Sequence, residues 1–260
     1  MQSEWIKNIS NYERVESSTY VIQYIIDNLQ IPDDQKFCVE FGYSSDNIDY
    51  NGNTHILVKK HGWKNLYLDG GHHNPDINLY QHYLTTENIV SIFDKYSVPK
   101  SLGYLSIDVD STDIWLMDKL LDVYRPSLVT CEYNPALPHD VAIAFENDPN
   151  RIWNCDAIWG SSVKALTMVA NKHDYLLIYI GEWSKTKVHD CFFAPKEKLP
   201  NVDQEYLSRL TYNTLNIHPL CKNYETNRCM IDYEEYIKTG DLELAKTKCE
   251  DVVRKYLCVN

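Results

Sequence analysis

Glycine is scarce in this chain: nine residues in 260, about half of ordinary usage. That shortage excludes collagen-like and Gly-repeat architectures. It also leaves little material for a loop that cradles phosphates on bare backbone. Long apolar runs are missing too. Stretches such as Tyr175–Ile180 fall far short of the ~20 residues that a membrane helix needs. The N-terminus, Met1-Gln2-Ser3-Glu4-Trp5, has neither the basic region nor the apolar stretch of a secretory signal, so a cytoplasmic location is expected. Eight cysteines contain no Cys-x-x-Cys pair, which speaks against a zinc knuckle or a thioredoxin-like site. Positive charge is in short supply, with 25 Lys and Arg against 37 Asp and Glu and a formal net charge of −12. That balance disfavours nucleic acid and anionic membranes as partners. The small basic clusters at Lys59-Lys60, Lys185/Lys187 and Lys196/Lys198 read as solvated surface.

What is present is a globular composition, 44% hydrophobic and 24% charged, without internal repeats. Residues 15–29 place Val15, Tyr20, Val21, Tyr24 and Ile25 at roughly helical spacing, and Pro32-Asp33-Asp34 breaks the chain after them. Strand-like runs then alternate with helical ones. Strands are expected at Phe37–Phe41, Asn65–Asp69, Ile77–His82, Leu102–Val109, Ser127–Glu132, Tyr175–Ile180 and Cys191–Ala194. Helices are expected from Thr54, a cap, to a Gly62 stop, from Thr85 to about Tyr96, after Val109 to about Val123, and over Ser161–Lys172. This alternation implies βαβ units and a mainly parallel sheet covered on both faces. Beyond Pro200 the pattern changes to Tyr-, Asn- and charge-rich helices at about 203–210, 231–238 and 241–256. The expected organisation is an N-terminal helical segment (1–34), an α/β core (35–200) and a C-terminal helical appendage (201–260). Tyrosine-rich helices in the appendage could supply a homodimer surface. Cys38, Cys131 and Cys191 sit in apolar runs and read as buried thiols. The four C-terminal cysteines with His218 could hold a metal or form bridges, but free thiols are the stronger expectation without an oxidising compartment.

The informative feature is the placement of acids. Glu40, Asp69, Asp108 and Glu132 each end an expected strand. In an open parallel sheet those ends line one edge, where ligands bind. Polar strand ends are common, so any one of these acids carries little weight; four together carry more, because unpaired acids crowded at one edge are costly. An acid ending the second strand commonly holds ribose hydroxyls, and Asp69 lies one βαβ step after Glu40. The first turn, Glu40-Phe41-Gly42-Tyr43-Ser44-Ser45-Asp46, has one glycine where a dinucleotide fingerprint has three. A pyrophosphate could not easily approach that backbone, whereas a nucleoside without phosphates could. NAD and ATP are therefore disfavoured, and an adenosyl cofactor such as S-adenosylmethionine remains.

A second constellation is Leu105-Ser106-Ile107-Asp108-Val109-Asp110-Ser111-Thr112-Asp113, with Glu132-Tyr133-Asn134 one strand over. If the strand continues, Asp108 and Asp110 point to one side. Oxygen ligands from Asp108, Asp110, Glu132 and Asn134 would suit Mg²⁺ or Mn²⁺. Such an ion could chelate neighbouring hydroxyls and lower the pKa of one. The bland alternative is that Asp110 and Asp113 cap the following helix. His139 is a candidate general base, against the commoner reading of a surface-loop histidine. His72, His73 and His82 lack metal-ligand spacing. Trp153, Trp159 and Trp183 with Tyr133 could form a substrate wall or simply core.

Several of these residues together carry a family resemblance. Val39-Glu40-Phe41-Gly42, Asn53-Thr54, Lys60-His61-Gly62-Trp63-Lys64, Leu68-Asp69-Gly70 and Leu105–Asp110 resemble the first half of FkbM-like class I methyltransferases. Tyr124-Arg125-Pro126, Cys131–Pro135, Gly160–Leu166 and Cys191-Phe192-Phe193 extend the similarity over roughly 35–195. The resemblance implies a Rossmann-like, seven-stranded sheet with an S-adenosylmethionine site at the ends of the first, second and fourth strands. By position it implies cofactor contacts from Glu40, Gly42, Tyr43, Asp69, Gly70 and Asp108. It further implies a divalent metal held by Asp108 or Asp110, Glu132 and Asn134, as in related sugar O-methyltransferases. The chain departs from the family in the first loop, where Asp46-Asn47 replace the usual acid–glycine pair and the segment to Asn53 is about two residues longer.

The leading expectation is thus an S-adenosylmethionine-dependent O-methyltransferase acting on a hydroxyl of a sugar, glycan or small metabolite, with Asp110 and His139 as candidate bases. Two alternatives stand beside it. One is a methyltransferase-like binding module without turnover, motivated by the altered first loop. The other is a metal-dependent glycosyltransferase using Asp108-Val109-Asp110 as a DxD motif.

Overall fold

A computed structural model describes residues 3–13, 18–150, 153–182, 189–212 and 228–258. Its centre is a seven-stranded sheet built from β1 (Phe37–Phe41), β2 (Lys64–Asp69), β3 (Leu79–Gln81), β4 (Tyr104–Ile107), β5 (Leu128–Glu132), β7 (Tyr175–Ile180) and β8 (Asp190–Pro195). The strand order is β3-β2-β1-β4-β5-β8-β7. Neighbours from β3 to β5 are parallel, with registers such as Val39 opposite Leu66 and Leu105. Strand β8 runs antiparallel to both β5 and β7. The protein therefore has the Rossmann-like α/β fold that the strand–helix alternation implies.

Period-two alternation explains why the sheet is covered on both faces. Val39 and Phe41 of β1 pack with Leu105 and Ile107 against α3 (Ile89–Lys95), α4 (Asp113–Leu121) and α5 (Val163–Lys172). Cys38, Tyr104, Leu128 and Phe192 face the other way, onto Ile6 and Ile9 of a 3₁₀ segment, Val21, Ile22 and Ile25 of α1 (Thr19–Leu29), and Leu57 of α2 (His55–His61). The N-terminal helical segment is thus one wall of the core. Cys38, Cys131 and Cys191 are buried thiols, as expected.

The expected helix stop at Gly62 is observed, at φ +65° with its N–H bonded to the Leu57 and Val58 carbonyls. Strand β4 ends at Ile107, two residues short of the expected Val109, because the chain turns sharply there. The C-terminal region is helical, with α6 (Gln204–Ser208), α7 (Tyr233–Thr239) and α8 (Leu242–Leu257), but it also contributes a strand. That strand, β9 (Met230–Asp232), pairs antiparallel with β6 (Ile143–Phe145), a strand the sequence does not suggest. Cys249, Val253 and Leu257 of α8 pack on Leu137, Ile143 and Ile158, which joins the appendage to the core. His218, Cys221, Trp183, Lys185 and Lys187 lie outside the described residues. Among the described residues no helix is long and apolar enough to cross a membrane.

Candidate active site

A cleft of about 450 Å³ opens at the C-terminal ends of the parallel strands. Its walls come from successive strand ends. Gly42 follows β1, Asp69 ends β2 with Gly70 and Gly71 just after it, His82, Tyr83 and Leu84 follow β3, Asp108 to Thr112 follow β4, and Glu132 ends β5. Trp153 closes one wall. Among the described residues the lining contains four carboxylates and no lysine or arginine.

Gly42 adopts φ +70°, and its N–H donates to the Leu68 carbonyl at 2.9 Å. A Cβ here would lie 2.1 Å from the Asp108 carbonyl oxygen. Only glycine satisfies both conditions, because an L-side chain disfavours this conformation and no side-chain rotation moves a Cβ. Beside it, Asp69 Oδ1 accepts from the N–H groups of Gly71 (2.7 Å) and His72 (2.8 Å). These bonds shape the turn and do not use the second carboxylate oxygen.

Asp108, Asp110 and Glu132 each offer an oxygen, and these three oxygens lie within 4.8 Å of one another. They converge by a route other than the expected strand alternation. Asp113 is buried at the start of α4, where its Oδ1 accepts from Val109 N–H (2.7 Å) and its Oδ2 from Ser111 N–H (3.0 Å). These bonds draw 109–111 into a tight turn in which Asp110 takes φ +62°, a left-handed conformation rare outside glycine, asparagine and aspartate. Asp113 is therefore the acid that ties down the turn before α4, without capping the helix, and Asp110 is the cleft acid.

The electrostatics of the cluster are unfavourable without a cation. Burial first, then the carboxylates of Asp113, Asp190 and Asp110, push Asp108 well above the ordinary carboxylate range. Burial and then Asp108 do the same to Glu132. Glu132 Oε2 is buried with no hydrogen-bond partner. An orphaned carboxylate oxygen within a set of hard oxygen donors fits Mg²⁺ or Mn²⁺, which would compensate the mutual repulsion.

Several expected site residues are placed elsewhere. Glu40 is buried behind the cleft, where it accepts from the N–H groups of Asn53 (2.9 Å) and Thr54 (3.0 Å) and from the Thr54 hydroxyl (2.5 Å). It holds the start of α2 and does not line the cleft. Thr54 occupies the N-cap position, but its hydroxyl serves Glu40 instead of the helix. Tyr43 is buried in a stack with Tyr67, ring centroids 4.0 Å apart, and its hydroxyl bonds the Asn47 carbonyl. Asn134 is also turned inward: its Nδ2 donates to the Ala157 and Trp159 carbonyls and its Oδ1 accepts from Ala136 N–H. These bonds give it a structural role in place of the expected metal ligation. His139 is exposed, near Tyr212 and outside the cleft lining. Tyr133 and Trp159 are core; of the described aromatic wall candidates only Trp153 reaches the cleft.

Three residues in or behind the cleft have no site role assigned by the sequence pattern. His82 lines the cleft with Nε2 2.9 Å from the Tyr96 hydroxyl. Asp190 stands opposite Glu132 across the β5–β8 pair. Asn53 links Asp190 to the core, since its Nδ2 donates to Asp190 Oδ2 and Ser106 Oγ, both at 3.0 Å. Asp190 precedes an apolar run, but an antiparallel strand places its start, not its end, at this edge. The chain matches no family model and no curated protein sequence.

One consequence of the buried acids concerns stability. Burial pushes Asp190 up to about 7 and Asp113 up to about 6, against an ordinary 3.8. The folded state thus keeps protons that the unfolded chain has already released, so stability falls as pH rises from about 4 to about 7. Thermal unfolding without divalent cations is expected to show a higher midpoint at about pH 5 than at about pH 8, and Asp190→Asn should flatten the slope. A flat or rising profile in the wild type would contradict the burial argument.

Proposed function

We propose that this protein is an S-adenosylmethionine-dependent O-methyltransferase acting on a hydroxyl of a sugar, glycan or small metabolite, assisted by a divalent cation. The carrying observation is a single cleft that combines the Gly42 turn, the β2-end acid Asp69 and the Asp108–Asp110–Glu132 cluster, with no lysine or arginine among the described residues of its lining. The resemblance to FkbM-like methyltransferases supports the same reading.

In this reading the Asp69 carboxylate accepts hydrogen bonds from the ribose hydroxyls, and the side-chain-free backbone at Gly42 and Gly70 allows close approach of the nucleoside. Asp108, Asp110 and Glu132 hold the cation. S-adenosylmethionine bound there would supply a sulfonium methyl group, and a divalent cation held by these acids would supply the Lewis acidity that lowers the pKa of an acceptor hydroxyl. Asp110, the most exposed of the three acids, would accept the proton. Placement of acceptor and methyl donor in one cleft does much of the catalytic work. A DxD glycosyltransferase is the weaker reading, since the described lining offers no lysine or arginine to a nucleoside diphosphate.

Calorimetric titration with S-adenosylmethionine and with its demethylated product is expected to give saturable binding. Asp69→Ala should weaken both by roughly tenfold or more, the size of losing a charge-assisted hydrogen bond. Absence of binding by both ligands to the wild-type protein would overturn the proposal.

A further inference from the structure

We infer that the cleft selects an uncharged polyol ring as its acceptor and rejects phosphorylated or carboxylated forms of the same ring. This inference rests on the reading of the cleft as an acceptor site. Two independent observations carry it.

The first is charge. Asp69, Asp108, Asp110 and Glu132 line the cleft, and among the described residues no lysine or arginine does. A divalent cation and a cofactor of net single positive charge together offset three of these four negative charges. An anionic acceptor would therefore enter a site that is still negative. At separations of a few ångström in a partly buried cleft, that repulsion is worth at least roughly tenfold in affinity.

The second is the aromatic rim. Trp153 lines the cleft while its indole N–H donates to the Asp156 carbonyl at 2.7 Å. Its polar edge is thus engaged within the protein, so hydrocarbon surface is what the ring offers a ligand. Tyr83 lines the same cleft and is 52% exposed, so its ring is open to a ligand. Apolar ring surface beside carboxylates matches a polyol ring, which has an apolar C–H face and a hydroxylated edge. A phosphate or carboxylate matches neither.

The test uses the full chain with Mg²⁺ and matched probes: the methyl α-pyranosides of glucose and mannose against glucose 6-phosphate, mannose 6-phosphate and glucuronic acid. Binding is read by saturation-transfer NMR. At least one neutral glycoside is expected to bind, with its anionic counterpart at least roughly tenfold weaker. The gap should narrow as ionic strength rises from about 0.01 M to about 1 M, because the screening length falls from about 30 Å to about 3 Å. Trp153→Ala should weaken the neutral probe roughly five- to tenfold, and Trp153→Phe should restore most of the loss. Equal or tighter binding of the anionic probes, no binding by any neutral glycoside, or an unaffected Trp153→Ala variant would overturn the inference. Titration of the cofactor separates this result from the wider proposal. If the cofactor binds and the neutral glycosides do not, only the acceptor inference falls. If the glycosides bind and the cofactor does not, methyl transfer falls and charge selection stands.

Discussion

Gly42→Ala is expected to weaken S-adenosylmethionine binding by more than roughly a hundredfold and to destabilise the fold by about 3 kcal/mol. Two costs add at this position. Holding an L-residue in the left-handed region costs about 1–2 kcal/mol. The new Cβ would also meet the Asp108 carbonyl oxygen at 2.1 Å. Both atoms belong to rigid framework, since neither a Cβ nor a main-chain carbonyl can rotate aside. Relief requires the ends of β1 and β4 to separate, which strains the Gly42–Leu68 hydrogen bond and displaces Asp108 from its cluster. Gly62 provides the control. It has a similar φ of +65°, yet nothing lies within 4 Å of the point where a Cβ would stand. Gly62→Ala should therefore lose only about 1 kcal/mol, with cofactor binding unchanged. Denaturant unfolding and calorimetry on both variants check the comparison; equal behaviour would refute the close-approach argument.

Glu132→Gln should abolish cation-assisted transfer, with activity down by at least roughly a hundredfold, while making the cation-free protein more stable by about 1–2 kcal/mol at pH 8. The two effects have one cause. Glu132 is raised by burial and by Asp108, so its ionised form is unfavourable in the folded state. An amide removes that charge and can donate to the neighbouring carboxylate. It also removes a ligand that a hard divalent cation requires. The stability gain should fade as pH falls, because protonation of Glu132 then relieves the same repulsion in the wild type. Cofactor binding should survive, since Asp69 and Gly42 are untouched. Unchanged activity in this variant would remove the cation from the mechanism, and a loss of stability at pH 8 would contradict the electrostatic account.

Much of the fold is legible in the chain. Apolar runs such as Phe37–Phe41 and Leu128–Glu132 are strands because their residues suit burial on both faces, and Gly62 stops α2 through its positive φ. Short elements are less legible. Strand β6 has three residues, and its pairing with β9 depends on a partner far along the chain, which no local pattern reports. The same limit applies at the site. Glu40 and Asn134 occupy strand-end positions like those of Asp69 and Glu132, but their side chains satisfy backbone groups of neighbouring loops.

The strand–helix alternation, the row of acids at strand ends, the shortage of glycine at the first turn and the excess of negative charge are all written in the chain. Each is a local or compositional property that needs no partner to be read. Which acids share the cleft is settled only by folding. The hydrogen bonds of Asp113 turn Asp110 toward the cleft mouth, His139 stays outside, and a strand of opposite direction brings Asp190 to the same edge. The physical reason is that periodicity fixes the face on which a side chain lies. It does not fix the direction of a strand within the sheet or the curvature of the loop after it. Those depend on pairings and hydrogen bonds between residues distant in sequence.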